Sequence, residues 1–397
     1  MRWIFFFLLF WALDSYFYFH IRSLFPFRGF QILYWLIPVA LWLSFFSLFF
    51  LLRGTAFPYS LIKMVTAALI LWYVPKLIAI LPYVLEDLIS LLFWFAQKGS
   101  SISLSRRNVI HAFALTLFVL PFFAFLHGIW VGKYRLWVRR LRFRHPLIPE
   151  KLKGLRIVQI SDLHLGSWDG DTAFMEKAVE TINRLNPHLV VMTGDWVNNL
   201  AEEMKPFIPL LQRIQAQIGK WGILGNHDYG IYMRWKTPQD RERNLTQLKS
   251  FIRQCGFALL NNSHQVLQWE GEPFVLVGVE NWGYPPFPQY GDLDKAMEGV
   301  PQGLFTILLS HDPSHWEAKV LPSGYSIPLT LSGHTHGMQF GIELGKWRWS
   351  PVQWRYSRWA DLYQEGDRFL YVNRGLGFIG FPGRVGIYPE ITLIELT

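Results

Sequence analysis

Five short clusters hold the groups in this sequence best suited to chemistry. They read Ser161-Asp162-Leu163-His164, Thr193-Gly194-Asp195, Gly225-Asn226-His227-Asp228, Ser310-His311-Asp312 and Gly333-His334-Thr335-His336-Gly337. Carboxylate, imidazole and amide oxygen are ligands for divalent cations. The single cysteine, Cys255, lies among Phe251, Ile252 and Phe257 and reads as a core thiol. With no thiolate in the set, structural zinc is disfavoured, and Mn, Fe, Mg or catalytic Zn suits it. One Asp-x-His decides nothing, because many loops contain one. A solvated rim, however, needs no histidines and asparagine in loops flanked by glycine, and such residues make a poor core. Phosphoester cleavage wants this set. Two metals about 3.5–4 Å apart neutralise the phosphoryl oxygens and lower the pKa of a bridging water, with one carboxylate shared between them.

Elements able to position these groups are legible around them. Leu155–Ile160 and His188–Met192 are short apolar, β-branched runs, and Phe174, Ala178, Ile182 and Leu185 recur between them at helical spacing. Trp221–Leu224, Pro273–Val279, Leu304–Leu309, Ile327–Leu331, Phe369–Val372 and Ile391–Glu395 are further strand candidates. Several end directly in a polar cluster, as in α/β enzymes whose sites lie beyond the carboxyl ends of strands. Gly194, Gly225 and Gly333 precede Asp195, Asn226 and His334 and permit tight turns there.

The first third of the chain is different. The sequence is 51% hydrophobic and only 17% charged, too apolar for an ordinary soluble enzyme. Apolar runs cover 3–19, 31–52, 61–85 and 109–130, each near the roughly 20 residues that span a bilayer. Arg22, Arg28, Arg53, Lys63, Lys98, Arg106 and Arg107 fall in the gaps or at run ends, and Trp11, Trp35, Trp72 and Trp130 suit headgroup depth. Four transmembrane helices are expected, with Glu86 and Asp87 near the interface and 88–97 continuing as an interfacial helix. Lys133, Arg135, Arg139, Arg140, Arg142 and Arg144 then form a basic run, which fits either anionic lipid or the solvated face of an edge strand.

The order D-x-H, G-D, G-N-H-D, H, G-H-x-H resembles that of the calcineurin-like metallophosphoesterases over roughly residues 155–397. The nearest likeness is to the bacterial membrane-bound branch, through the N-terminal helices, H-D-P, G-H-T-H-G-M-Q and a glycine-rich tail. The resemblance implies a transmembrane helical anchor over 1–132. It also implies an α/β sandwich of two mixed sheets flanked by helices over 133–397. By the same likeness Asp162, His164, Asp195 and His336 hold the first metal. Asp195 bridges, and Asn226, His311 and His334 complete the second. His227 is the general acid, and Asp228 supports the loop. The implied partners are a phosphoester substrate, lipid-linked where the anchor holds the site near headgroups, and the bilayer of a bacterial plasma membrane. Similar enzymes act on UDP-diacylglucosamine or envelope phospholipids.

The protein phosphatases of the superfamily read G-D-x-V-D-R-G, whereas this chain has Asn198 and Asn199 in place of the acid and arginine. That argues against a phosphoprotein substrate and questions how His227 is oriented. Arg374 and Arg384 are candidates for the missing phosphate-binding cation, with a surface role as the alternative. The segment from Lys346 to Trp359 alternates tryptophan with arginine and fits a membrane-facing lip or an aromatic-packed hairpin. A nuclease is a competing function, but the membrane half speaks against nucleic acid. A non-catalytic scaffold is another, but every expected ligand is present. The side of the membrane stays open. The basic run favours the cytoplasm, while Ser105-Arg106-Arg107 resembles a degraded twin-arginine export signal.

Overall fold

The structure, a computed structural model, describes residues 2–51, 59–95, 104–345 and 347–397. Arg53, Lys98 and Lys346 lie outside them. The chain divides into two compact units, one of residues 1–129 with 380–382 and one of 130–379 with 383–397.

The first unit is helical: α1 (Arg2–Ile21), α2 (Arg28–Leu51), α3 (Tyr59–Ala79), α4 (Leu81–Phe95) and α5 (Leu104–Trp130). Among the described residues, three stretches, Arg28–Leu48, Ser60–Phe95 and Arg107–Tyr134, are long and apolar enough to cross a membrane, and Phe5–Ile21 is a shorter apolar helix. The third apolar run therefore does not stop at residue 85. It continues as helix through Glu86 and Asp87, with a break only at Ile80. Pro82 explains the break, since it has no N–H to give the preceding turn and disfavours helix just before it. Inside the unit Asp14 and Lys76 are both buried and form an ion pair. Trp72 Nε1 and Tyr73 Oη donate to the Asp14 carboxylate at 3.1 and 3.0 Å, and Lys76 Nζ donates to Tyr34 Oη at 3.1 Å. Charges among apolar helices are costly unless partnered in this way.

The second unit contains β1 (Trp137–Phe143), β2 (Arg156–Ile160), α6 (Ala173–Arg184), β3 (Leu189–Met192), α7 (Ile208–Gln212), β4 (Gly219–Gly222) and α8 (Pro238–Gln254). There follow β5 (Phe257–Leu259), β6 (Ser263–Trp269), β7 (Glu272–Gly278), α9 (Leu293–Met297), β8 (Thr306–Leu309) and β9 (Leu329–Ser332). The chain closes with β10 (Ile342–Leu344), β11 (Trp347–Trp349), β12 (Asp361–Glu365), β13 (Arg368–Val372) and β14 (Glu390–Leu396). One sheet runs β1-β14-β2-β3-β4-β5, the other β12-β13-β9-β8-β7-β6, and β10 and β11 form a separate hairpin. Strands β2 to β5 are mutually parallel, as are β13, β9, β8 and β7.

Period-two alternation along each strand builds the layers. Ile157, Leu189 and Val191 meet Leu276, Ile307, Leu329 and Tyr371 between the sheets. The alternate residues Val158, Ile160, Val190 and Met192 pack outward under Phe174, Ala178 and Ile182 of α6 and Leu248 and Ile252 of α8. Val275, Val277, Leu308 and Leu370 do the same under α9 and Trp316. Helix α8 starts at a capping box, Thr237 with Asp240, and has Pro238 in its first turn, where a missing N–H costs nothing. The basic run becomes the edge strand β1, paired only with β14, with Arg140 and Arg142 exposed.

Candidate metal centre

All five polar clusters sit just past the carboxyl ends of parallel strands. Asp162 follows β2, Asp195 follows β3, Asn226 follows β4, His311 follows β8, and His334 and His336 follow β9. The loops are wound tightly. Asp162, His164, Asp195, His334 and His336 all have positive φ, between 42° and 71°. Backbone strain of this kind persists only where the surroundings impose it, and it gathers at functional sites. The glycines share in this. A Cβ on Gly225 would collide with the Asp195 carboxylate, and one on Gly333 with that of Asp162.

The side chains converge in two groups of three, Asp162 with His164 and His336, and Asp195 with His311 and His334, each with donor atoms within 4.8 Å of one another. His164 Nε2 and His336 Nε2 are 3.0 Å apart, and His336 Nε2 is 3.3 Å from Asp162 Oδ1. Asp195 lies between the groups: its Oδ2 is 3.5 Å from His164 Nε2 and 3.2 Å from His311 Nε2. His334 Nδ1 is 3.3 Å from His311 Nε2 and 2.9 Å from Asn226 Oδ1.

A surrounding shell orients these groups. His311 Nδ1–H donates to the Thr193 carbonyl at 2.7 Å, which turns its Nε2 inward. The other nitrogen of His334, Nε2, meets Tyr356 Oη at 2.8 Å and Asp312 Oδ2 at 3.3 Å. Tyr232 Oη accepts from Asn226 Nδ2 at 2.8 Å and so aims the amide oxygen at His334. Asp228 is buried and takes four backbone N–H groups, from Asp195, Trp196, Val197 and Gly225, at 2.8–3.2 Å. It therefore holds the loops and does not face the convergent atoms. His227 is half-buried, with its ring centroid 4.9 Å from that of His164. Its Nδ1–H donates to the Asn198 backbone carbonyl at 2.8 Å. The main chain thus orients this ring, although Asn198 replaces the usual acid.

The electrostatics suit a cation. Burial opposes charge on Asp162 and Asp195, yet His336 beside the first and His311 beside the second hold both carboxyls below the usual range. Burial also opposes charge on His311, but Asp195 raises it to about 10. Burial lowers His164 and His334, leaving them neutral imidazoles with lone pairs to offer.

The two arginines behave differently from each other. Arg374 donates to Glu343, Asp361 and Glu390 with all five N–H groups at 2.6–2.8 Å, so none remains for a phosphate. Arg384 is fully buried, and its Nη2 lies 3.2 Å from His336 Nδ1 while it also donates to the carbonyls of Arg374 and Gly377. Both are built into the structure and neither is a surface residue. Sequence reading missed Tyr356, Tyr232 and the carboxylate role of Asp312. Only Asp312 carried a signal, its place beside His311.

Residues 1–133 match the family described as a probable calcineurin-like phosphoesterase transmembrane domain, and residues 155–338 match the calcineurin-like phosphoesterases. A metallophosphoesterase of Bacillus subtilis, YkuE, is 33% identical over 63% of this chain and 82% of its own. A zebrafish (Danio rerio) transmembrane protein with a metallophosphoesterase domain is 32% identical over 63% of this chain, and the match spans about half, 54%, of its length. A UDP-2,3-diacylglucosamine pyrophosphatase of Chlamydia trachomatis is 30% identical over 61% of this chain and 84% of its own.

Proposed function

The chain belongs to the calcineurin-like metallophosphoesterases, and on that premise we propose that it is a membrane-anchored phosphoester hydrolase using two divalent cations. The donor set fits them. Two largely buried triads each offer one carboxylate and two imidazoles, and no thiolate is among them. Asp162, His164 and His336 would hold one cation and Asn226, His311 and His334 the other, with Asp195 between. The position of Asp195 Oδ2, facing His164 on one side and His311 on the other, carries the reading. Once bound, the cations supply Lewis acidity toward the phosphoryl oxygens and acidify the attacking water. The chain's own groups do the rest. His227, steered through Nδ1, presents Nε2 as the proton donor to the leaving oxygen. Asp228 fixes the backbone of Asp195 and so its side chain.

The substrate we favour is a lipid-linked phosphoester of a bacterial envelope, met at the plasma membrane where the N-terminal helices hold the enzyme. A specific second reading, hydrolysis of the pyrophosphate of a UDP-linked diacylated sugar, is favoured by the chlamydial relative. The test is Asp195→Asn in the full-length protein, with metal content and hydrolysis of bis(p-nitrophenyl) phosphate measured together. We expect metal to be lost from both positions and activity below ~1% of wild type. Full metal content with near-normal turnover would exclude the bridge. A wild-type protein that holds two metals and cleaves no phosphoester would point to a scaffold.

A further inference from the structure

The β10–β11 hairpin has its faces turned the wrong way for water. In register, Glu343 pairs with Arg348, while Ile342 pairs with Trp349 and Leu344 with Trp347. The charged face points inward. Glu343 accepts from Arg374 Nε and Nη2, and Arg348 Nη1 donates to Asp361 at 2.5 Å. The apolar face points outward, with Ile342 46%, Leu344 68% and Trp347 56% exposed. Met338 before the hairpin and Trp354 after it are 59% and 79% exposed. A hairpin made for water would bury the second face and show the first. Arg355, next to Trp354, is also exposed. Its guanidinium reaches only the Pro285 carbonyl, at 3.3 Å, and the Tyr356 ring, and among the described residues it pairs with no carboxylate.

This patch is fastened to the loop of the candidate metal centre. Ser350 Oγ donates to the Gly337 carbonyl at 2.8 Å, and Thr335 Oγ1 donates to the Trp359 carbonyl at 2.7 Å. Tyr356 Oη touches His334 Nε2 at 2.8 Å. What covers the patch is therefore held close to the ligand loop.

We propose that this hairpin is an interfacial lip seated in the headgroup layer of a phospholipid bilayer, where it admits a lipid phosphoester to the metal centre. Tryptophans with adjacent apolar side chains favour that depth, and Arg355 offers a cation to lipid phosphate. The same chain supplies the membrane, because its N-terminal unit matches a transmembrane domain. The role in substrate entry rests on the phosphoesterase reading above, while seating in the bilayer does not.

Two measurements on full-length protein in phosphatidylcholine–phosphatidylglycerol vesicles test it. Cys255 is buried, so an environment-sensitive dye can be placed at Leu344→Cys and, for reference, at the exposed Glu298→Cys. At Leu344→Cys the emission should shift to the blue and be quenched by brominated lipid. Emission matching the Glu298→Cys reference, unquenched, would overturn the proposal, as would a blue shift that persists in detergent without lipid and depends on protein concentration. The triple variant Leu344→Ser/Trp347→Ser/Trp354→Ser should lose about tenfold on a bilayer-embedded phosphodiester and less than about twofold on bis(p-nitrophenyl) phosphate. Equal losses on both would likewise overturn it. Insertion of the lip in a wild-type protein that cleaves neither compound would refute the phosphoesterase reading while supporting bilayer seating.

Discussion

Arg374→Met separates a structural arginine from a phosphate-binding one. The substitution keeps most of the aliphatic stem and deletes a guanidinium that makes five bonds to three carboxylates. Glu390 is wholly buried and Glu343 nearly so. Removing one partner of a buried ion pair costs ~3–5 kcal/mol, because the remaining charge is left uncompensated. Two features favour the lower end. Arg139 stays within 3.8 Å of both Glu390 and Asp361, and Tyr371 and Thr392 still donate to Glu390. We therefore expect about 3 kcal/mol. In a unit of this size that corresponds to a fall in melting temperature of about 6 °C. Circular dichroism melts of full-length wild type and variant in the same detergent would measure it. Hydrolysis of bis(p-nitrophenyl) phosphate well below both melts should keep its KM within about twofold, since no donor of Arg374 is available to a phosphate. An unshifted melt with a KM raised about tenfold would refute the reasoning and put Arg374 on the substrate.

His227→Ala should slow cleavage of an alkyl phosphodiester by ~10²–10⁴-fold and that of a nitrophenyl ester far less, because nitrophenolate leaves without a proton. Steady-state rates on the pair decide it, and equal losses would remove His227 as the acid. Burial lowers His315 to about 4, below its unfolded value of 6.5. The unfolded chain thus binds the proton more tightly, so this contribution is complete above pH ~6.5 and is lost as pH falls toward ~4, by at most about 3 kcal/mol. Chemical denaturation in chelator across that range should show the decline, and His315→Gln should flatten it. An identical slope in the variant would assign the effect elsewhere.

Most of the ligand clusters were legible because they follow runs of apolar, β-branched residues of the kind that form buried strands. Leu189–Met192 before Asp195 and Thr306–Leu309 before His311 are examples, whereas the Asn226 cluster follows the half-buried Gly219–Gly222. Strand β6 escaped notice because Ser263–Trp269 is an outer strand with much of its length exposed and little apolar signal. Strand β12, Asp361–Glu365, is half-exposed for the same reason. The four expected apolar runs hold five helices among the described residues, since Pro82 interrupts the helix of the third run without interrupting its hydrophobicity. Arg374 looked like a loose cation in a glycine-rich tail. Its three acidic partners are at positions 343, 361 and 390, and only the fold brings them together. Tyr356 and Tyr232 share that limitation, because a tyrosine that orients a histidine or an asparagine leaves no spacing pattern.

The candidate ligands come from both layers of the sandwich. Asp162, Asp195 and Asn226 end strands of one sheet, and His311, His334 and His336 follow strands of the other. Each sheet keeps its own strand ladder, so what joins the layers at this end is side-chain packing, a few hydrogen bonds such as those from His311 to the Thr193 carbonyl and from Gln159 to the Ser332 carbonyl, and whatever the two triads grip. A cation pair held by both is therefore a stitch across a seam. Its affinity and the tendency of the seam to open are reciprocal quantities, each altering the other by the same free energy. Metal starvation would loosen the mouth of the sandwich before it unravelled either sheet, and the first amides to lose protection would be those in the loops after β3 and β8.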